Sequence, residues 1–550
     1  PPVRSPASMS LPLAILVLLF AVLACGAVSR RSAMPLPLLL IPAGTLLALV
    51  PGMHAVAPDP ETFFLVFVPP LLFADAWLIP KREFLNLRYP ILGLALGLVL
   101  CTVLATGYLV HWLIPSVPLA AGFALGAVIS PTDAVAVSSI TERLRLPARL
   151  THLLNGESLI NDASGLVAFR FSVAAALTGS FSAGAAAANF MLVAVGGVLA
   201  GLAATWVLGR LRRGLSHRGW ADESISTGLT LLAPYASYLA AESLHLSGVL
   251  GAVAGGWYAA MQEARDTKPS ERLVMLNVWQ LLLFFFNGLV FVLLGLRLPE
   301  VLEGVAGQPW PMLAGGALAI TAVAMLIRLV WVFPASRAML WLTRRHAPQT
   351  PVPPWRQVLV AGWAAPRGAI TLAAALSLPA GGFPERELLV FYASAVIVLT
   401  LVVNALTLPA LIRRLGLRAD DVQLREMRSA HVALAQAAIR RLRAALDLQH
   451  AEHEMRYTQR LIEDYERRIG RHCGRSAEEA MRIAPEFETE ISLRRLGIAA
   501  ERRELRRLRR EALISDEVIR DLLHDLDLRE VGLDSVARQP SAASARAAEA

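Results

Sequence analysis

The stretch NGESLINDASGLVAFRF, residues 155–171, sets Glu157, Ser158, Asn161 and Asp162 into an otherwise apolar run, with Arg170 beyond them. At helical spacing Ser158 and Asp162 lie one turn apart on one stripe, and Glu157 and Asn161 lie on the adjacent stripe. One helix face therefore presents a hydroxyl, an amide and two carboxylates. Oxygen ligands of this kind suit a hard cation, and a carboxylate can take a proton in the same place.

Two further stretches carry polar residues at breaks in apolar sequence. In AVISPTDAVAVSSI, Pro131 cannot donate to a helical ladder, so carbonyls of the preceding turn lose partners beside Thr132 and Asp133. In GWAAPRGAITLAAALSLP, Pro366 and Gly368 flank Arg367. A charge at the centre of a bilayer costs about 2.5–3.5 kcal/mol on insertion scales, so a chain keeps one there when it pairs, lines a water cavity or works. Asp75, after FVPPLLFA, is a candidate for a cytoplasmic funnel or a loop-edge carboxylate. Asp133 suits an ion site or a helix cap. Glu157 and Arg367 are expected to form a structural ion pair, because a lone buried Arg needs a partner. Arg170 and Arg328 are expected to snorkel or pair.

The elements that hold these residues follow from composition. The chain has 550 residues, 55% hydrophobic and 17% charged, with a mean hydropathy of +0.52. Its apolar residues come in blocks of about 20, the length that crosses a hydrocarbon core. This is a polytopic membrane protein built of helices. Thirteen spans are expected: 11–28, 35–50, 62–79, 89–114, 118–139, 149–178, 187–209, 222–243, 245–262, 273–297, 311–335, 356–380 and 387–413. Spans 1–6 and 8–13 then form two inverted six-helix repeats. The Pro-interrupted spans 5 and 12 fall at equivalent places, the sequence pattern of a transport site.

Loop charges give the orientation. Alternate loops are dense in Arg and Lys, from Arg30 and Arg31 through Lys81, Arg149 and Arg213 to Arg344 and Arg356; the opposite set holds little beyond Arg386 and the N-terminal Arg4. The positive-inside rule puts the N-terminus outside and the C-terminal tail in the cytoplasm. The compact loops suit a bacterial inner membrane. The net charge of +9 reflects this topology and a basic tail, and does not call for nucleic acid. The first span is expected to be a retained helix rather than a signal peptide, because its charges follow the apolar run. Residues 1–10 are an extension in which Met9 is a candidate start. Cys25, Cys101 and Cys473 are too few and scattered for a disulfide framework or a metal site.

From residue 414 the composition changes. Apolar residues recur at helical spacing between charges through 537, which predicts a cytoplasmic tail of two or three helices. Ser476 and Glu479 fit a capping box. ERRELRRLRREAL is strongly basic: a solvated helix or one near anionic headgroups, and a candidate to bind a regulatory ion, lipid or protein. Residues 538–550 have a disordered composition.

The motifs SPTDAVAVSS, NGESLINDASGLVAF and PRGAITLAAALSLP, in this order and at these span positions, resemble the sodium/proton antiporters of the NhaP/NHE type, the electroneutral branch of the cation:proton antiporters. VPPLLFADAW in span 3 resembles a family segment too. The resemblance covers roughly residues 10–415. It implies a thirteen-helix fold with a dimerisation domain and a mobile ion-carrying core, and a homodimer in membrane lipid. It implies that Asp162 of the Asn161–Asp162 pair carries the ion or the proton, that Ser158, Thr132 and Asp133 surround the ion, with Na+ at Asp162, Ser158 and Thr132, and that Glu157 pairs with Arg367. The chain departs from the family's Thr-Asp-Pro order, since Ala134 follows Asp133 and the proline precedes it as Pro131, and its span-3 acid, Asp75, is displaced by one position.

Exchange follows if one carboxylate holds either ligand. A proton competes near neutral pH only in a dehydrated cavity, where low dielectric favours the neutral carboxyl. With Asn161 in place of a second acid, the expected stoichiometry is one cation per proton. No cofactor is expected beyond the transported Na+ and H+, with Li+ also a candidate. K+/H+ exchange is the nearest alternative, since oxygen ligands alone do not set ion size. A non-transporting sensor with the tail as output is the alternative of another class. A channel lacks a carbonyl filter motif, and an enzyme lacks a nucleophile–base pair in the helices.

Overall fold

Backbone groups in hydrocarbon must satisfy one another, which leaves a helix as the local solution for each apolar block. The computed structural model describes residues 11–537 apart from 33, 54–57, 142, 143, 145, 180–182, 267, 268, 347–350, 380, 381, 418–420, 447–451, 474–476 and 512–515. Among the described residues every regular element is helical. The expected extension 1–10, the Ser476 cap and the C-terminal 538–550 lie outside them.

The chain divides into two compact units, Pro1–Ala419 and Asp420–Ala550. In the first, each expected span falls on a helix or an interrupted one. These are α1 (Leu11–Ser32), α2 (Leu36–Ala48), α3 (Pro60–Leu78), α4 (Arg88–Leu113), α5a (Leu119–Ile129) with α5b (Ala134–Thr141), α6 (Ala148–Thr178) and α7 (Ala183–His217). Then follow α8 (Glu223–Glu242), α9 (Gly248–Asp266), α10 (Pro269–Gly304), α11 (Trp310–His346), α12a (Trp355–Trp363) with α12b (Ala369–Leu376), and α13 (Arg386–Arg414). Among the described residues eight of these helices are individually long and apolar enough to cross a membrane, and the bent pair α5a–α5b, turning by 42°, makes up to nine. Helices α7, α10 and α11 run well past the expected spans, because hydropathy marks only the apolar window while the ladder continues into the polar loops.

Local chemistry sets several ends. Asp59 caps α3, accepting from Thr62 N at 3.1 Å, and Asp222 caps α8, accepting from Ile225 N at 2.8 Å. Gly179, with φ of 68°, ends α6 in the left-handed conformation that favours glycine. Residues 93–98 of α4 widen into a π turn, and the Gly93 carbonyl accepts from Trp331 Nε1 at 3.2 Å.

Glycines allow α2 and α10 to cross at backbone distance. A Cβ on Gly295 would sit 2.9 Å from the Ile41 carbonyl carbon and from Thr45 N, and one on Gly44 would sit 3.0 Å from Leu296 N. Thr45 Oγ1 donates to the Gly295 carbonyl at 3.1 Å across the crossing. Gly295→Ala must push the helices apart and is expected to destabilise the purified protein by about 1–3 kcal/mol. The check is thermal melting in detergent, and a wild-type melting curve would show that the crossing is not tight.

Among the described residues the second unit holds four helices, α14 (Asp421–Leu446), α15 (Glu452–Cys473), α16 (Ala477–Arg510) and α17 (Asp516–Ala537), where two or three were expected. The extra divisions had no sequence mark, since neither 447–451 nor 512–515 contains Gly or Pro. Ile498, Leu505 and Leu526 form a small core between α16 and α17. Arg502 pairs there with Asp527 and, at 2.6 Å, with Glu530.

Candidate ion-binding site

Where α5a stops, residues 131–133 run without helical structure, and where α12a stops, residues 364–368 do the same. The two gaps touch. Asp133 N donates to the Pro366 carbonyl at 2.9 Å, and the Arg367 side chain reaches across to donate from Nε to the Ile129 carbonyl. A Cβ on Gly368 would sit 2.8 Å from Asp133 Cγ, so only glycine leaves room for that carboxylate. Helix α13 holds the second gap open. Ala365 N donates to Asn404 Oδ1 at 3.3 Å and Arg367 N to Thr400 Oγ1 at 3.2 Å. Free backbone groups at a broken helix find partners this way, in protein rather than lipid.

Helix α6 passes beside the first gap. Gly165 makes the approach close, for a Cβ there would lie 2.6 Å from Pro131 Cγ. Ser158 Oγ donates to the Thr132 carbonyl at 2.9 Å and accepts from Ala134 N at 3.3 Å. Thr132 Oγ1 donates to Glu157 Oε1 at 3.2 Å and accepts from Asn161 Nδ2 at 2.9 Å. Both hydroxyl protons are thus committed to the protein. Each oxygen keeps a lone pair, which makes both sites acceptors for whatever enters. Asn161 is buried, and its Oδ1 has no hydrogen-bond partner among the described residues.

The carboxylates divide by what they touch. Asp133 Oδ1 accepts from Val135 N at 2.8 Å and Ala136 N at 3.1 Å. It caps α5b while its other oxygen faces Gly368. No donor among the described residues reaches the Asp162 carboxylate. Asp75, Asp133 and Asp162 line one cavity of about 580 Å³, together with Thr132, Ser158 and Asn287. Asp162 and Asp133 are half-buried, and Asp75, near the end of α3, is exposed. Phe67 and Phe291 wall the same cavity.

The expected Glu157–Arg367 pair is not the one formed. Glu157, 1% exposed, receives both terminal nitrogens of Arg328: Nη1 on Oε1, and Nη2 on Oε2 at 2.8 Å. Arg328 Nε donates to the Ala361 carbonyl at 3.1 Å. The bidentate fit needs a guanidinium that approaches edge-on, and α11 delivers Arg328 in that orientation. Arg367 is drawn instead to carbonyls orphaned by the breaks, Ile129 and, from Nη1 at 2.7 Å, Ala365. A cation at the C-terminal end of α5a also faces the negative end of that helix dipole. Arg170 pairs with Glu242 at 2.7 Å.

The sequence reading did not single out Asn287, Thr371, Thr400 or Asn404. Thr400 and Asn404 carried a signal, as polar residues four apart inside an apolar span. Asn287 and Thr371, which line the cavity, had none beyond being polar in an apolar helix.

Known proteins are similar to this chain over its membrane-spanning unit. The family model described as sodium/hydrogen exchanger, transmembrane, matches residues 15–414. An uncharacterized Na+/H+ exchanger of Escherichia coli (strain K12), YjcE, is 40% identical over 94% of this chain and 97% of its own. A sodium, potassium, lithium and rubidium/H+ antiporter of Bacillus pumilus (strain SAFR-032) is 37% identical over 94% of this chain and 78% of its own. The solved sodium proton antiporter MjNhaP1 from Methanocaldococcus jannaschii superposes with a TM-score of 0.55 at 18% identity, over 74% of this chain and 99% of that one, a likeness of fold. A matched span that starts within α1 and closes with α13, and that contains both crossed breaks and every carboxylate of the cavity, places this multi-pass membrane protein in the sodium/hydrogen exchanger family, among antiporters rather than enzymes.

Proposed function

We propose that the protein exchanges Na+ for H+, one for one and without net charge movement, at Asp162. The observation that carries this is a carboxylate without a protein donor among the described residues, lining a cavity with Ser158 and Thr132, whose hydroxyl protons point away into the protein. Such a site accepts a cation or a proton, and each displaces the other. Asp133 and Asn161 complete the surroundings of the ion, and Asp75 stands toward the opening as the funnel carboxylate.

The charge count supports neutrality. Glu157 and Arg328 cancel as a buried pair. Only Asp162 on its helix face then changes ligand, because the adjacent position is Asn161 and not a second acid. Bound to either ligand, the carboxylate is neutralised and can move; empty, its charge resists transfer across the low-dielectric barrier. That difference couples the two fluxes.

The wider architecture belongs to the same reading. It has thirteen spans in two inverted repeats, the N-terminus outside and the tail in the cytoplasm of a bacterial inner membrane. It works as a homodimer in pH and sodium homeostasis, and the tail is open to a regulatory ion, lipid or protein. A second reading of the cation is favoured by the names of relatives from Bacillus pumilus and Bacillus subtilis, which include potassium and rubidium. K+ and Li+ are therefore substrates to set beside Na+.

Purified protein in liposomes, loaded with a pH-sensitive dye and given Na+, Li+ or K+ gradients, is expected to show cation-driven proton movement whose rate does not change when a membrane potential is imposed. A rate that follows voltage would exclude the one-for-one stoichiometry, and no proton movement with any of the three ions would exclude exchange.

A further inference from the structure

A second cavity, of about 730 Å³, opens between α4, α6, α11 and α12a, away from the crossed breaks. Its walls are apolar, among them Pro90, Leu94, Leu150, Val332 and Met339. Clefts lined by apolar side chains with a single convergent charged group suit amphipathic molecules. Among the described residues Arg149 is its one charged lining residue, and none of them brings a carboxylate to it. The guanidinium spends a single donor, Nη1, on the Pro351 carbonyl at 3.3 Å, and so offers the rest to an anion.

The position argues for lipid. The cavity lies at the start of α4, α6 and α12a and toward the end of α11, the side on which the Arg-rich loops gather. Trp341, next to Leu340 of the lining, and Trp355, two positions from Pro353 and Gln357 of the lining, are each 58% exposed, with Arg345 over the first ring at 3.7 Å and Arg356 near the second at 6.0 Å. Exposed Trp with Arg is the composition of a membrane–water interface, and basic pockets between helices on the cytoplasmic side take anionic headgroups. We propose that this cavity is a binding site for an anionic phospholipid, with its phosphate on Arg149 and an acyl chain among the apolar walls.

An occupant would touch the transport machinery through one shared wall. Ala361 lines the cavity, and its carbonyl holds Arg328 Nε. Arg328 holds Glu157, which accepts from Thr132 at the ion site.

The test reads lipid retention, not transport, and stands apart from the exchange reading. Detergent-purified protein is incubated with phosphatidylglycerol or phosphatidylcholine and examined by native mass spectrometry and thermal melting. Phosphatidylglycerol is expected to stay bound and raise the melting temperature, and phosphatidylcholine is not. Arg149→Gln is expected to lower phosphatidylglycerol occupancy by about fivefold, the worth of one basic contact to an anionic headgroup. Ser336→Leu, which puts three carbons in place of a hydroxyl at the cavity wall while leaving the charge, is expected to displace the lipid as well. Equal retention of the two lipids, or phosphatidylglycerol occupancy unchanged in Ser336→Leu or in a folded Arg149→Gln, would overturn the assignment.

Discussion

Asp162→Asn is expected to abolish cation/proton exchange in liposomes while the purified variant melts with wild type. The side chain receives no hydrogen bond among the described residues, so an amide of nearly the same shape leaves no group stranded. The loss is confined to what only a carboxylate supplies, a proton site and a negative charge. At about 4 Å and an effective dielectric of about 20, that charge attracts a monovalent cation by about 4 kcal/mol, close to a thousandfold in affinity. The measurement pairs dye-reported proton movement under a Na+ gradient with a melting curve. Proton-coupled Na+ movement that survives the substitution would move the site elsewhere, with Asp133 and Asp75 the remaining carboxylates of the cavity.

Arg328→Ala is expected to destabilise the protein by about 3–5 kcal/mol, because it leaves the Glu157 carboxylate, 1% exposed, without its bidentate partner. The pair itself need not be a large net gain over apolar residues. Its removal one side at a time is what costs. The double variant Glu157→Gln with Arg328→Met is therefore expected to recover most of the loss. Arg367→Ala removes bonds to two backbone carbonyls and strands no carboxylate. A double-mutant cycle on melting free energies separates these accounts. Coupling of Glu157 to Arg328 should exceed its coupling to Arg367, and the reverse order would restore the pairing that the sequence alone suggested. The identity of the partner matters for the proposed transport because Glu157 also accepts from Thr132, so a change in its charge is felt one hydrogen bond from the proposed ion site.

The sequence by itself determined the all-helical, membrane-spanning architecture and the polar stripe of α6. Bilayer hydrocarbon imposes one local rule, that each backbone satisfies itself, so apolar blocks announce helices without any knowledge of their neighbours. The polar stripe of α6 is equally local, because Ser158 and Asp162 are one turn apart whatever packs against them. Pro131 and Pro366 announced interruptions, since a missing N–H is a property of the residue and not of the fold. Tertiary structure decided what those pieces touch. Glu157 and Arg328 are 171 residues apart, and nothing in local spacing distinguishes Arg328 from Arg367 as the partner. Only the placement of α11 beside α6, and of orphaned carbonyls beside Arg367, assigns the two guanidiniums. The same holds for the contact between the two breaks, for Asn404 and Thr400 bonded to one of them, and for Asn287 in one cavity with Asp162. Pairings between distant helices are fixed by packing of whole surfaces, which a chain read one window at a time does not contain.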